Sequence, residues 1–247
     1  MSAIQTDFDR IALLSTDGWT HNSHYHNFLL RHVPTNCEET LEIGCGTGVF
    51  ARLLAERSQN VLALDLSPEM VRIARARSSQ FSNIEFQIAD VSTRNFPAER
   101  FDCIASIATL HHLPLCEIFL KMKDALRPGG VLLVLDIFEP RKWHGHPARD
   151  SRAGRACHDQ TASVREVLID TLLNTVAIGV SGSLRLLHTG RLLPPREVRA
   201  AWAAHERHDT YPTMSEVREL CADILPGARV SKNLLWRYSV IWQKPDR

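Results

Sequence analysis

None of the six cysteines, at positions 37, 45, 103, 116, 157 and 221, forms a C-x-x-C pair, so neither a paired-thiol redox motif nor a cysteine-built zinc site is spelled out. Several lie within apolar strand or helix patterns where a small hydrophobe serves as well, and all six read as free thiols. An apolar run of about 18 residues is missing too, which excludes a membrane-spanning helix. Met1 to Asp7 contains no basic region followed by an apolar stretch, so the expectation is a chain without a secretory leader, in a reducing cytoplasm. Nor is there an excess of charge: 29 Lys and Arg against 28 Asp and Glu leave a formal net charge of +1. That balance gives no global electrostatic footprint for nucleic acid or an anionic membrane, and nucleic acid is not an expected partner.

What is present is a chain of 247 residues, enough for a large core without requiring a second independent domain. Its most informative stretch is Leu41-Glu42-Ile43-Gly44-Cys45-Gly46-Thr47-Gly48, followed by Leu62-Ala63-Leu64-Asp65. This is an apolar strand, a glycine turn, a helix, and a second strand ending in a carboxylate. Glycine lacks a Cβ, so the chain can turn sharply and a ligand can touch its backbone. An acid about 20 residues downstream can accept hydrogen bonds from ribose hydroxyls. A dinucleotide fingerprint, G-x-G-x-x-G, would need its third glycine at position 49, where this chain has Val49. The absence disfavours a nicotinamide-dependent oxidoreductase.

The stretch resembles the first motif of the class I S-adenosylmethionine-dependent methyltransferases, E/D-x-G-x-G-x-G, and Asp65 resembles their ribose-binding acid. The likeness continues in order. Ser67-Pro68-Glu69-Met70 is similar to the family's second helix start, Ile88-Ala89-Asp90-Val91 to its adenine-side motif, and Phe101-Asp102-Cys103-Ile104 to its fourth strand. Leu110-His111-His112-Leu113 and Leu126-Arg127-Pro128-Gly129-Gly130 complete the set, which covers residues 41 to 138. The resemblance implies an enzyme that uses S-adenosyl-L-methionine and releases S-adenosyl-L-homocysteine, with no metal. It assigns Gly44, Cys45 and Gly46 to close backbone approach, Glu42 to the methionine amine and Asp65 to the ribose. Leu66 and Met70 would meet the adenine faces, Asp90 with Val91 the adenine edge, and Ser106 and Ile107 the methionine end. Each has a plainer alternative: Glu42 as a strand cap, Met70 as core, Asp90 as a turn residue.

Strand patterns near 40–44, 61–65, 84–88, 101–107 and 131–138 alternate with helical ones, which predicts an α/β fold with a parallel sheet covered on both faces. With what the resemblance implies for the last strands, the expected fold class is a doubly wound, mostly parallel seven-stranded sheet, Rossmann-like, with an antiparallel last strand and a helical insertion. Ser67 is expected to cap a helix that has Pro68 at its first position. Arg127 to Gly130 is read as a helix end turning into the buried strand Val131 to Leu135. After that strand, Val164, Val167, Leu168, Thr171, Leu172, Thr175 and Val176 keep one face at helical spacing, and Pro195 to Glu206 repeats the pattern with Val198, Trp202 and His205. Thr213 and Glu216 read as a capping box for a helix stopped at Pro226-Gly227, and the tail reads as a closing hairpin. The expected division is an N-terminal helical cap segment (1–36), a cofactor-binding core (37–139), a helical insertion on the substrate side (140–212), and a C-terminal helix with closing strands (213–247). The resemblance implies that insertion and cap roof the substrate pocket; the alternative is a packing subdomain or dimer contact.

The expected activity is methyl transfer to a small-molecule acceptor at an O, N or C atom. The alternatives are a protein that binds the cofactor or its product without catalysis, and a tRNA or protein methyltransferase. A hydroxyl or ammonium acceptor calls for a general base, and histidine suits that role near neutral pH. His111 and His112, just past the fourth strand, are the first candidates, with a helix cap as the alternative. His24, Tyr25 and His26 in the cap segment come next, with packing as the alternative. His144-Gly145-His146 has no third ligand at matching spacing and is not read as a metal site. The basic stretch Arg141 to Arg155 reads as a solvated loop. The spacing is silent on oligomeric state.

Overall fold

A computed structural model describes residues 3–14, 20–139, 164–206 and 209–246. Trp19, Cys157, His144 to His146 and the basic stretch 141–155 lie outside the described residues. The other five cysteines are free thiols. No described helix is long and apolar enough to cross a membrane.

Strands β1 (Cys37–Ile43), β2 (Ser58–Asp65), β3 (Ile84–Ile88), β4 (Phe101–Ile107) and β5 (Leu126–Ile137) are parallel, and β6 (Arg229–Asn233) and β7 (Arg237–Gln243) are the antiparallel additions. The seven-stranded sheet runs β3-β2-β1-β4-β5-β7-β6, as the alternating sequence pattern predicts. Period-two alternation divides the apolar run of β5 between the two faces. Leu132 and Val134 pack on one side against α5 (Leu115–Ala125) and α8 (Met214–Ile224), through Ile118, Phe119 and Val217. Leu133 and Leu135 pack on the other side with α2 (His26–Leu30) and α3 (Val49–Ala55), through Leu29, Phe50 and Leu54. Both halves of the run are fully buried, which is why it contains no polar interruption.

The helix signals hold. Ser67 Oγ accepts from the Met70 amide at 3.0 Å at the start of α4 (Pro68–Arg77). At α8 Thr213 and Glu216 form the reciprocal capping box, with Glu216 Oε2 accepting from the Thr213 amide at 2.7 Å.

Two expectations need correction. Arg127 to Gly130 does not precede the strand but belongs to it: β5 starts at Leu126, which pairs with Phe101 of β4, and Gly129 donates to the Lys244 carbonyl (2.9 Å) while Gly130 accepts from the Lys244 amide (2.8 Å). Pairing with the tail therefore continues through the turn residues. On α6 (Val164–Thr189) the side chains of Val164, Val167, Leu168 and Thr171 lie outside the described residues; of the rest of the stripe, Leu172, Thr175 and Val176 are exposed, and Ala177 is buried. On this described part of α6 the helical period does not mark a core-facing side.

Candidate active site

The strand order reverses between β1 and β4, the point at which open α/β sheets leave a crevice beyond the strand ends. The glycine turn after β1 sits there, pinned to β2 by the Gly44 and Cys45 amides, both donating to the Leu64 carbonyl at 2.8 and 2.9 Å. Gly44 has φ +75°, and a Cβ there would lie 1.9 Å from Thr109 Oγ1, so the segment after β4 is seated directly on the turn. Gly46 has φ +51° and a Cβ there would meet nothing within 4 Å. One glycine is thus required by a protein neighbour, and the other leaves backbone open to a ligand.

Two carboxylates flank this turn. Asp65 accepts from the Gly46 amide at 2.8 Å and the Ser67 amide at 2.9 Å, and each oxygen keeps a second lone pair for a hydroxyl. Burial, joined by the charge of Asp9, pushes its pKa up against hydrogen bonds from the Ser67, Gly46 and Leu66 amides that pull it down. Glu42 is buried and its Oε2 has no partner. Burial, reinforced by the charge of Asp65, holds its carboxyl well above the usual carboxylate range. An unpartnered buried acceptor beside an open turn is the chemistry an amino-acid ammonium group satisfies, and hydroxyl acceptors sit on Asp65. The residues present therefore fit a ligand that carries an ammonium group and ribose-like hydroxyls.

Replacing Asp65 with Ala is expected to weaken cofactor binding by roughly 1–3 kcal/mol through lost hydroxyl partners. Titration calorimetry with S-adenosylhomocysteine measures it, and unchanged affinity in a folded variant removes Asp65 from the site.

The remaining cofactor candidates divide. Ser106 Oγ donates to the Ile43 carbonyl at 3.0 Å, tying β4 to β1 beside the turn, and Cys45 is buried there with its thiol 3.8 Å from the Gly46 carbonyl. Leu66 and Ile107 are half-buried. Val91 is buried in the core, and Met70 packs with Ile11, Ala12 and Ala201. Asp90 is exposed and closes a turn, its Oδ1 accepting from the Ser92 amide at 2.9 Å. Met70 thus has packing contacts and Asp90 turn contacts in addition to their places in the two motifs.

His111 and His112 sit in a single 3-10 turn, Leu110–His112, immediately after the Thr109 that rests on Gly44. His111 Nδ1 lies 2.6 Å from Asp136 Oδ1, and its amide donates to Asp136 Oδ2 at 3.0 Å. Asp136 is wholly buried at the carboxyl end of β5 and also accepts from the Ile137 amide at 2.7 Å. A carboxylate facing Nδ1 assigns the ring proton to that nitrogen and leaves Nε2 with the lone pair.

His112 belongs to a second cluster. Its Nδ1 lies 3.3 Å from Asp209 Oδ1, which is 3.7 Å from His205 Nε2, while His205 Nδ1 lies 3.5 Å from Asp7. Phe8, on α1 (Ala3–Leu14), packs edge-on against both His112 and His205. Burial and the neighbouring His111 push the His112 pKa down to about 4. Among the described residues, His111, His112 and Asp209 are the group whose ligand atoms lie within 4.8 Å of one another.

The cap-segment candidates are not gathered here. His24 is exposed and its ring meets Tyr25 edge-on at 4.9 Å. Tyr25 donates its hydroxyl proton to the Leu234 carbonyl at 2.6 Å. His26 is buried against Phe50.

Asp136, Asp209, Asp7 and Thr109 were not legible as site residues in the sequence. Asp136 had a usable signal, an acid closing an apolar central strand that ought otherwise to stay apolar. Asp209 had none.

A family model described as a methyltransferase domain matches residues 40–130. An uncharacterized methyltransferase of Mycobacterium tuberculosis is 27% identical over 237 residues, covering 92% of this chain and 98% of that protein. A demethylmenaquinone methyltransferase of Tropheryma whipplei is 35% identical over 107 residues, covering 43% and 44% of the two chains. Among solved structures, the N-methyltransferase NodS of Bradyrhizobium japonicum with S-adenosylhomocysteine superposes with TM-score 0.60 at 15% identity, over 99% of this chain and 100% of that one, a likeness of fold.

Proposed function

We propose that this chain, a class I S-adenosylmethionine-dependent methyltransferase, moves the methyl group to a small-molecule acceptor whose nucleophile is a hydroxyl or an ammonium group. The observation that carries the acceptor class is the His111–Asp136 pair, seated one turn from the glycine loop. S-adenosylmethionine supplies an activated methyl on a sulfonium and leaves as S-adenosylhomocysteine. The chain's own part is positioning and proton handling. Glu42 takes the ammonium, Asp65 the ribose, and the open backbone at Gly46 lets the molecule settle against the turn. Holding two reactants in line is worth roughly 7–11 kcal/mol in favourable cases. His111 Nε2 accepts the acceptor's proton, and Asp136 keeps the ring in the right tautomer and stabilises the imidazolium.

The division at 37, 140 and 213 is part of this reading, with the insertion and N-terminal segment roofing the acceptor. Support comes from α1, which reaches across the site: Asp9 accepts from the Ser67 hydroxyl and the Glu69 amide at the start of α4, and Phe8 packs on His112 and His205. On the other side, Ser181 of α6 lies 2.6 Å from His21 Nε2. Small molecules as acceptors agree with the balanced charge, and with relatives named for demethylmenaquinone and for ubiquinone biosynthesis.

Purified protein incubated with methyl-labelled cofactor and extracted metabolites is expected to place label in the small-molecule fraction. Cofactor binding without transfer across a broad metabolite panel would make it a sensor, and label confined to tRNA or protein would change the acceptor class. A base at His111 needs no ion, so dialysis against EDTA is expected to leave the rate unchanged. A loss restored by one divalent ion would turn His111, His112 and Asp209 from base and neighbours into ligands.

A further inference from the structure

Helices α6 and α7 (Arg196–His205) are joined by a short connection and touch the N-terminal segment from both sides of it: Ser181 meets His21, and His205 meets Asp7 and Phe8. Its tip faces water with the wrong composition for that. Leu186 and Leu187, on the last turn of α6, are 48% and 80% exposed, and Leu192 and Leu193, in the connection, are 61% and 62% exposed. Single exposed leucines are ordinary; four at one apex are not. The tip is also built, with the Gly190 amide donating to the Leu186 carbonyl at 2.9 Å and the Thr189 hydroxyl to the Arg185 carbonyl at 2.8 Å. Pro194 and Pro195 then stiffen the entry to α7.

Charge decides what covers these leucines. Residues 185–199 repeat Arg-Leu-Leu, at Arg185 and again at Arg191, and continue to Arg196 and Arg199 against a lone Glu197. The whole chain carries only +1, so this basic rim is local and not a share of a global excess. Self-association through the tip would bring arginines against arginines. Apolar side chains at the apex with guanidinium groups around them are the arrangement that enters a bilayer surface carrying negative headgroups.

We infer that the α6–α7 tip is a docking surface for an anionic lipid bilayer, with Leu186, Leu187, Leu192 and Leu193 dipping below the headgroups and Arg191, Arg196 and Arg199 binding them. Taken with the small-molecule reading, on which this last step rests, the tip places the roof of the site at the source of a lipid-soluble acceptor.

Sedimentation of the full chain with vesicles tests the surface without requiring methyl transfer, so its failure and the failure of the acceptor reading are separate results. The protein is expected to pellet with phosphatidylglycerol–phosphatidylcholine vesicles, to stay in solution with phosphatidylcholine alone, and to be released by salt. Changing the four leucines to Gln is expected to cut partitioning at least about tenfold. Changing Arg191, Arg196 and Arg199 to Gln is expected to cost about fivefold per residue. Affinity for S-adenosylhomocysteine should hold in both variants, since none of these residues touches the glycine turn. Wild-type protein that ignores the anionic vesicles, or a leucine variant that pellets as well as wild type, overturns the proposal. So does a wild-type dimer that ignores the vesicles and that the leucine changes make monomeric, since a second copy then covers the tip.

Discussion

His111→Gln is expected to lower kcat by about 10²–10⁴-fold, the range that a positioned general base contributes, while leaving S-adenosylhomocysteine affinity unchanged. Gln approximates the size of imidazole and can still donate to Asp136, so the buried carboxylate, which also accepts from the His111 and Ile137 amides, is not left without partners. Asp136→Asn is the companion. Asp136 acts through His111 and not on the acceptor, so it is a positioning residue: an amide at Oδ1 can offer the ring a proton and trap the wrong tautomer. The expected result is a fall in kcat with little change in KM for the cofactor. Rate constants for both variants, with calorimetry for binding, decide the matter. A His111→Gln enzyme within about threefold of wild type would move the base elsewhere.

Acid is expected to destabilise the protein before its carboxylates titrate as a group. His26, His21 and His112 each have their folded-state pKa pushed down to about 4. Burial is the leading cause for all three, joined for His21 by Arg237 and Arg185 and for His112 by His111. The unfolded value lies near 6.5, so between about pH 6.5 and pH 4 the unfolded chain binds more protons than the folded one. Stability is full above that window and falls as pH drops through it. Each full shift corresponds to about 3 kcal/mol, and water reaching these partly buried rings reduces the sum to roughly 3–6 kcal/mol. Against a total stability of about 5–15 kcal/mol that is a large share. Thermal melts should show Tm lower by roughly 10 °C or more at pH 4.5 than at pH 7. Replacing His26 with Phe, which keeps an aromatic ring against Phe50, should remove part of the acid sensitivity. A pH-independent Tm across this range, or no effect of the Phe substitution, would contradict the assignment.

Much of the cofactor side could be read directly from residue order. Gly44, Gly46 and Asp65 fall where their spacing puts them, because a sharp turn after an apolar strand has few backbone solutions and the acid one strand over is held by the turn's own amide. Ser67 and Thr213 cap as expected because capping is a bond within one turn of chain. Met70 and Asp90 each sit in their motif and also serve the fold, one packing under α1 and the other closing an Asx turn.

Sequence by itself determined the alternating strands, the turn without side chains, the acid that ends β2 and the helix ends, since each is fixed by neighbours within a few residues. Tertiary structure alone decided which histidine has a partner. Ile107 pairs with Leu135 across β4 and β5, so that register carries the next residue, Asp136, to the turn that holds His111, across a gap of 25 residues that no local pattern encodes. It likewise brought Asp209 and His205 to His112 and turned the leucines of the α6–α7 tip outward, because which face of a helix is covered depends on what packs against it and not on its own period.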